Sequence, residues 1–567
     1  MPVQNADIAA TFEKIADILE IEDANPFRVR AYRTAARLIR GLSHDLSGMV
    51  NAGKDLTELP DIGEDLAKKI VEIVHTGHCS MLKKLETQIP PALTELLQVP
   101  GLGPKRVRTL WHELDVETVS QLAVAAREGR IRTIPGFAEK TEAKILQALQ
   151  DHTAALHRFP IPIAARDAAS LVLYLQGIPG VKQAVVAGSF RRGRETVGDL
   201  DLLVAAERGR QVMDHFTAHK DVAEIISSGP TRSTVILHNK LQVDLRVVKD
   251  EAYGAALQYF TGSKEHNIAI RRMGQSKGLK INEYGVFRDK ERIAGETESS
   301  VYASIGLPYI EPELRENRGE IEAAVSGHLP NLAELGDLRG DLHVHCQSSQ
   351  SLRVMADEAK NRGFEYLAVT LRSSNADPKR LDKFMAEIDA INGAMEEITL
   401  LKGIEVQIEK DGNLDLPDNV LRSLDLVIGG LFGHFDLPRE RQTTRILKAM
   451  DNPHFSILAH PCARLIGTRG PIDADMSRII RHARDRGCFL EINSRPDRLD
   501  LMDIYARMAK DEGAEMVVSS GGNSPEDFDD LRFGMQQAKR GWLEKKDIIN
   551  TLRLKELRSQ IAKTMGR

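Results

Sequence analysis

The chain has little that would tie it to a membrane, to an oxidising compartment or to a cysteine-bound metal. Its four cysteines (Cys79, Cys346, Cys462 and Cys488) are scattered through 567 residues with no CxxC pair, which argues against both a disulfide framework and a cysteine zinc site. Its longest apolar runs fall well short of the roughly 20 residues that span a bilayer, and the N-terminus shows no basic stretch followed by an apolar one. A cytoplasmic protein with no membrane partner is expected. Positive charge is not in surplus either, because the formal net charge is −5. Any nucleic-acid contact must therefore come from local basic patches and backbone N–H groups, not from a globally positive field. Apolar residues make up 42% and charged residues 28%, ordinary for a globular protein, and the length calls for several domains.

What is present is concentrated at residues 188–201, Gly-Ser-Phe-Arg-Arg-Gly-Arg-Glu-Thr-Val-Gly-Asp-Leu-Asp, behind the apolar run 184–187. In a strand, Asp199 and Asp201 point the same way while Leu200 and Leu202 point into the core. Two adjacent carboxylates repel, and a hard divalent cation such as Mg²⁺ relieves them. Gly188, Ser189, Arg192 and Gly198 offer what a phosphate needs: close backbone approach, a hydroxyl and a guanidinium fork. The run Leu241-Gln242-Val243-Asp244-Leu245-Arg246-Val247 alternates cleanly, with Gln242, Asp244 and Arg246 on one face. If this strand lies beside the first, Asp244 completes a triad able to hold two metal ions for in-line phosphoryl transfer.

The N-terminal third reads as helices, with Ile8, Phe12, Ile15, Ala16 and Leu19 at helical spacing and Tyr32, Ala36, Leu38 and Ile39 following Pro26. A short pattern then recurs three times: Leu59-Pro60-Asp61-Ile62-Gly63, Val99-Pro100-Gly101-Leu102-Gly103-Pro104-Lys105, and Ile134-Pro135-Gly136-Phe137-Ala138. It resembles the helix-hairpin-helix, whose Gly-x-Gly turn presents backbone N–H groups to a phosphate at a helix N-terminus. The second copy is the full pattern; Asp61 replaces the leading Gly of the first, and Ala138 the trailing Gly of the third.

Pro160 and Pro162 interrupt the helical pattern and mark a boundary, and a second falls between Pro308 and Pro330, where Pro312 opens a charged helix. From Gly340-Asp341-Leu342-His343-Val344-His345 onward, strand-like clusters alternate with helical stretches, the pattern of a β/α barrel with site residues at the C-terminal ends of its strands.

The motif at 188–201 and the strand at Asp244, continued by Tyr259-Phe260-Thr261-Gly262-Ser263, Asn267, Arg271 and residues 278–285, resemble the X-family DNA polymerases, the group that includes DNA polymerase beta. The resemblance implies that Asp199 and Asp201 bind both of two Mg²⁺ (or Mn²⁺) ions and that Asp244 contacts the catalytic one near the primer 3′-OH. It also implies that Ser189, Arg192 and Gly198 hold the triphosphate, and that Tyr259, Phe260 and Gly262 surround the sugar. Asn267 would contact the incoming base and Arg271 the template minor groove. Gln242 stands where DNA polymerase beta has an Arg. In the hairpins, Gly63, Gly101, Gly103 and Lys105 would contact DNA. Tyr32, Lys68 and Lys84 would lie at a lyase pocket or a 5′-phosphate, and Lys69 would be the lyase nucleophile, a role that needs a lowered pKa.

The segment from 338 resembles the PHP domain, a metal-dependent phosphoesterase module. His343, His345, Glu405 and His460 stand at ligand positions, able to hold one ion. Gln350, Arg372, Phe432, Gly521 and Asn523 replace expected ligands, with His434 shifted by two positions from the one at Phe432. A polynuclear hydrolytic centre, and with it a barrel nuclease, is therefore not expected.

The expected class is multidomain α+β and α/β. A helical lyase-like domain (1–85) and a second helix-hairpin-helix domain (86–155) precede a nucleotidyltransferase palm (156–265) and a thumb-like nucleotide-selection subdomain (266–315). A linker (316–337) then leads to a distorted β/α barrel (338–567). The expected function is a monomeric repair polymerase that fills short gaps in nicked or gapped double-stranded DNA from dNTPs, with 5′-deoxyribose-phosphate lyase activity at Lys69. A DNA end-processing 3′–5′ exonuclease is the alternative, and a purely structural DNA-binding module the third reading.

Overall fold

Helical periodicity in the first 150 residues and strict alternation after 180 divide the chain physically as well as by pattern. The computed structural model describes residues 5–42, 46–86, 89–90, 93–97, 99, 102–138, 141–142, 145, 158–346 and 348–564, which fall into two compact units, 1–158 and 159–567. Gly101 lies outside the described residues, as does Pro100.

The first unit is helical. Helix Asn5–Ile21 buries Ile8, Phe12, Ile15, Ala16 and Leu19 against helix Pro26–Gly41, whose start is fixed by the Asn25 side chain accepting from the Phe27 N–H. Phe12 and Tyr32 meet edge to face at 5.4 Å. The same core takes in Leu66, Ile70 and Ile73 of helix Glu64–Thr76 and Val107 and Leu110 of helix Pro104–Leu114.

In the second unit, strands β1 (Phe159–Pro160) and β3 (Thr196–Val197) form a small ribbon beside a five-stranded sheet of order β2-β4-β7-β6-β5. These are β2 (Val181–Val186), β4 (Asp199–Ala206), β5 (Val222–Ser228), β6 (Arg232–Leu237) and β7 (Gln242–Val248). Alternation assigns the faces as expected. Leu200, Leu202, Leu241, Val243, Leu245 and Val247 are buried beneath helix Ile161–Gln176, leaving the opposite face for the polar residues. Helices Tyr253–Thr261 and Lys264–Ser276 follow, then a three-stranded antiparallel sheet, β8 (Lys280–Asn282), β9 (Gly285–Arg288) and β10 (Glu291–Ala294).

Residues 316–337 are more than a linker. Glu320 is fully buried, and Ile321 and Ala324 of helix Glu320–Ser326 join the core that also holds Trp542. Pro312 opens a single 3₁₀ turn, not the longer charged helix that its position suggests.

The C-terminal region is a parallel sheet in sequence order: β11 (Gly340–His345), β12 (Tyr366–Arg372), β13 (Thr399–Gln407), β14 (Leu426–Gly430), β15 (Ile457–Leu458), β16 (Phe489–Asn493) and β17 (Met516–Ser519). Its interior is a continuous apolar core. Asn550 ties the first strand to the last: its Nδ2 donates to Gly340 O (2.8 Å) and Val518 O (2.7 Å), and its Oδ1 accepts from the Val518 N–H. The result is a nearly closed barrel. All four cysteines are buried free thiols, and no described helix is long and apolar enough to cross a membrane.

Candidate active site and DNA-contact surfaces

Parallel pairing of β4 with β7 sets Asp201 directly opposite Asp244 and Asp199 opposite Gln242. The Ala187 N–H donates to Asp201 O, which carries the chain into a left-handed turn at Gly188 (φ +62°). A Cβ on Gly188 would lie 2.2 Å from Asp201 Oδ2, so only glycine lets the loop 188–195 pass this close to the carboxylates. Asp244 is held from three directions. Gln242 Nε2 donates to Oδ2 (2.9 Å), while the Thr234 hydroxyl and Arg232 Nη2 (3.4 Å) both donate to Oδ1. Gln242 thus stays in contact with Asp244, and Arg232 brings a guanidinium from the neighbouring strand.

Burial and the Asp199 and Asp244 carboxylates push Asp201 up to about 7 against the pull of Arg246 and Arg192. An acid triad this poorly balanced fits a divalent cation.

Arg192 faces the same site. Its Nη1 donates to Thr261 O (2.8 Å) and its Nε to Glu316 (3.1 Å); among the described residues, Nη2 has no partner. Arg191 is bound to Glu298 through both Nη atoms and to the Thr261 hydroxyl. Burial alone would raise Glu298, yet Arg191 and Arg315 hold it down to about 2. Ser189 is half-buried, and Gly198 is exposed where β3 meets β4.

Beyond the site, Tyr259 and Phe260 meet edge to face at 5.1 Å, and the Arg246 guanidinium lies 4.4 Å from the Phe260 ring. Asn267 is buried and locks the interhelical turn, donating to Tyr259 O (2.6 Å) and Gly262 O (3.2 Å). A Cβ on Gly262 would lie 2.7 Å from Asn267 Oδ1. Arg271 is exposed, with Nε on Asn267 O.

In the first unit, Gly63 and Gly103 cap helices Glu64–Thr76 and Pro104–Leu114 with nearly the same backbone, φ −83°, ψ 172° and φ −90°, ψ 169°. Neither helix has a side-chain cap, and a Cβ at either glycine would meet nothing within 4 Å. Neither conformation nor internal crowding requires glycine here. The space lies outside, over unsatisfied N–H groups. Gly136 differs: its φ of +91° is itself a reason for glycine. Asp61 takes the left-handed conformation (φ +60°), which Asp tolerates.

Lys68, Lys84 and Lys105 are exposed. Lys69 Nζ lies 2.5 Å from Asp65 Oδ1. Burial works toward a lower pKa, but Asp65 and the nearby Tyr32 hydroxyl outweigh it and hold Lys69 above its ordinary value. That direction is opposite to what an amine nucleophile needs.

In the barrel, ligand atoms of His343, His345 and Glu405 lie within 4.8 Å of one another. His460 Nε2 stands 3.7 Å from Glu405 Oε1. His343 Nε2 is buried without a hydrogen bond, which fits one ion. The register of β12 on β13 pairs Arg372 with Glu405 and brings Arg372 Nε to 3.2 Å of its carboxylate. Burial opposes it, but His343, His460 and His345 hold Glu405 well below the usual range, and Glu491 and Glu405 raise His343. Phe432 lies edge-on to His460 at 5.8 Å, and a Cβ on Gly521 would strike the Asn493 amide at 2.6 Å. Gln350, Asn523 and His434 are exposed.

Two groups escaped the sequence reading. Glu491 bonds His343 Nδ1 (2.7 Å) and the His460 N–H, and its signal was a lone Glu inside the apolar run 488–492. Asp341 accepts from the His343 and Ser520 N–H groups.

Residues 170–273 match the DNA polymerase beta palm and 256–316 the DNA polymerase beta thumb. Residues 3–79 match a helix-hairpin-helix domain and 93–151 a SAM-like helix-hairpin-helix tandem. The chain is 36% identical to the DNA polymerase/3′-5′ exonuclease PolX of Bacillus subtilis (strain 168) over 97% of this chain and 98% of that one. It is 24% identical to the DNA polymerase lambda of Rattus norvegicus over 55% of this chain and 56% of that one. The C-terminal region is 27% identical to a probable phosphatase of Thermoanaerobacter sp. (strain X514), over 37% of this chain and 89% of that one. A polymerase-beta palm and thumb behind paired hairpins, continued into a phosphatase-like barrel and matched end to end by PolX, place the chain in the X-family of DNA polymerases, among the members joined to a C-terminal PHP-type barrel.

Proposed function

We propose that the protein is a DNA-directed DNA polymerase that fills short gaps in duplex DNA during repair, adding nucleotides from dNTPs. The observation that carries this reading is the convergence of Asp199, Asp201 and Asp244 on the glycine-opened loop that bears Arg192. Divalent ions held by these carboxylates supply activation of an attacking hydroxyl and charge relief for a leaving pyrophosphate. Ser189 and the open Nη2 edge of Arg192 bind the triphosphate, with Gly198 leaving room for it. Asp244, oriented by Thr234, Gln242 and Arg232, faces the primer terminus. Tyr259, Phe260 and Gly262 form the wall against the sugar, and Arg271 is exposed toward the template. Asn267 reaches the incoming base by releasing one of the two bonds its Nδ2 makes, to Tyr259 O and Gly262 O.

In the first unit, the uncapped N–H groups at Gly63 and Gly103 hold DNA phosphates, with Lys68, Lys84 and Lys105 adding charge. Gly101 lies outside the described residues. Lys69 serves first as a phosphate-binding ammonium, and its lyase chemistry waits on release from Asp65. Every group invoked comes from one chain, so a monomer suffices.

A second reading, trimming of DNA 3′ ends, is favoured by the buried His343, His345 and Glu405 group and the orphaned His343 Nε2. One ion fits there; a polynuclear centre does not, because Arg372 already occupies one side of Glu405. We therefore place polymerisation first. Extension and degradation on one labelled, gapped duplex with Mg²⁺ or Mn²⁺ test both. Asp201→Ala and Asp244→Ala should lower nucleotide addition by roughly a thousandfold or more while DNA binding persists. Undiminished extension by both variants overturns the assignment.

A further inference from the structure

Four residues of the loop 188–195 are held from the barrel. Phe190 packs on the small apolar cluster of Ile161, Leu499 and Phe533. The carbonyl of Arg192 accepts from Arg540 Nη1 at 2.9 Å. Gly193, in the left-handed region at φ +66°, leaves the site of its absent Cβ 3.0 Å from Gln536 Cβ. Glu195 accepts from Arg464 Nη2 at 2.6 Å. Phe533, Gln536 and Arg540 recur at i, i+3 and i+7 on helix Leu531–Arg540, so one face of that helix lies along the loop.

Arg540 is the pivot. It is nearly fully buried, and its guanidinium is satisfied by Asp503 Oδ2 (2.7 Å), Glu316 Oε1 (2.8 Å) and the Arg192 carbonyl. Asp503 is further fixed by Arg318 at 2.9 Å. The Glu316 oxygen that Arg540 binds is the same one that accepts from Arg192 Nε at 3.1 Å. One barrel arginine therefore fixes both the backbone of Arg192 and the carboxylate that aims its side chain. A lysine could not do this, because a single ammonium cannot match a planar fork spanning two acids and a carbonyl.

We infer that helix Leu531–Arg540 of the barrel is part of the nucleotide-binding apparatus, with Arg540 a positioning residue that holds Arg192 ready for the phosphates of the incoming nucleotide. This rests on the reading of Arg192 as a triphosphate ligand. It gives the barrel a role in synthesis that does not depend on any metal at His343, His345 and Glu405.

The test uses full-length protein and single-turnover insertion into a one-nucleotide gap, with separate measurement of dNTP affinity, burst amplitude, DNA affinity and melting temperature. Arg540→Met should weaken dNTP binding by about tenfold, the scale of a lost charge-assisted hydrogen bond, with DNA affinity unchanged. Arg540→Lys should fall between the two, and Gln536→Trp, which crowds Gly193, should move dNTP affinity the same way should Arg540→Met not fold. A merely structural role would lower burst amplitude or melting temperature and leave dNTP affinity per active enzyme intact; that result overturns the inference. Arg192→Ala is the control on the underlying reading. If it weakens dNTP binding and the barrel variants do not, the inference alone fails. If Arg192→Ala leaves dNTP affinity intact, the triphosphate reading fails and takes the inference with it.

Discussion

In the palm, Asp199, Asp201 and Asp244 converge, and the two arginines that act on Asp201 leave it pushed up to about 7. In the barrel, Glu405 sits among His343, His345, His460 and Arg372 and is held well below the usual carboxylate range. One site carries unbalanced negative charge and fits a cation; the other has built its counter-charges into the protein. The same residue chemistry thus separates a site whose carboxylates lack counter-charge from one in which Arg372 and His343 already offset Glu405 and leave room for one ion. Retention of acidic and histidine residues is therefore a poor guide to activity unless the neighbouring charges are counted.

Neutralising one carboxylate should break this comparison most sharply in the barrel. Glu405→Gln leaves Arg372 without its carboxylate and His343 with Glu491 alone, and should cost about 3–5 kcal/mol of stability, read by denaturant unfolding. In the palm the sign reverses: Asp201→Asn in metal-free protein at neutral pH should stabilise by about 1–2 kcal/mol, because it removes a buried charge and its repulsion with Asp199 and Asp244. If both variants destabilise equally, the contrast between the sites is wrong.

The hairpins extend the contrast to neutral groups. Gly63→Ala and Gly103→Ala should leave melting temperature nearly unchanged, since neither backbone nor packing requires glycine there. Each should weaken DNA binding by roughly 1 kcal/mol through obstruction of the approaching phosphate. A large loss of stability would show that the glycines serve the fold instead.

Lys69 with Asp65 is a matched pair like those of the barrel, and its raised pKa sets the sign of a pH effect. The neutral amine that attacks an abasic sugar is scarce at pH 7 and grows about tenfold per pH unit below that pKa. Borohydride trapping on an incised abasic site should therefore rise from pH 7 to pH 9, and Asp65→Asn should raise trapping at pH 7 about threefold. A flat pH profile would leave Lys69 as a phosphate ligand only.

Much of this was legible in the sequence because it is periodic. Alternation at 241–247 fixed which side of β7 carries Asp244, and helical spacing fixed the buried face of Asn5–Ile21. What escaped depends on which distant elements meet. Arg232 and Thr234 reach Asp244 only because β6 pairs with β7 in one register, and no local pattern announces that. Arg540 meets Arg192 across 348 residues, and the segment 316–337 reads as a linker because half-buried Glu316 and buried Glu320 look like solvated charges. Lys69 lies on helix Glu64–Thr76, but the carboxylate one turn earlier reverses the direction of its pKa, which no reading of Lys69 alone supplies.

The distance in sequence between the loop at 188–195 and helix Leu531–Arg540 also has a consequence in time. A ribosome adding roughly 5–20 residues per second takes tens of seconds to travel from Arg192 to Arg540. Through that interval the emerging chain can already assemble its carboxylate triad and join Arg191 to Glu298, both encoded well upstream. Its other clasp waits for Arg540, and the Asn550 bridge between β11 and β17 follows only after that. A chain interrupted before Arg540 would thus carry the polymerase's acids without the finished support of its nucleotide loop, so that translation of the barrel and maturation of the site are tied together.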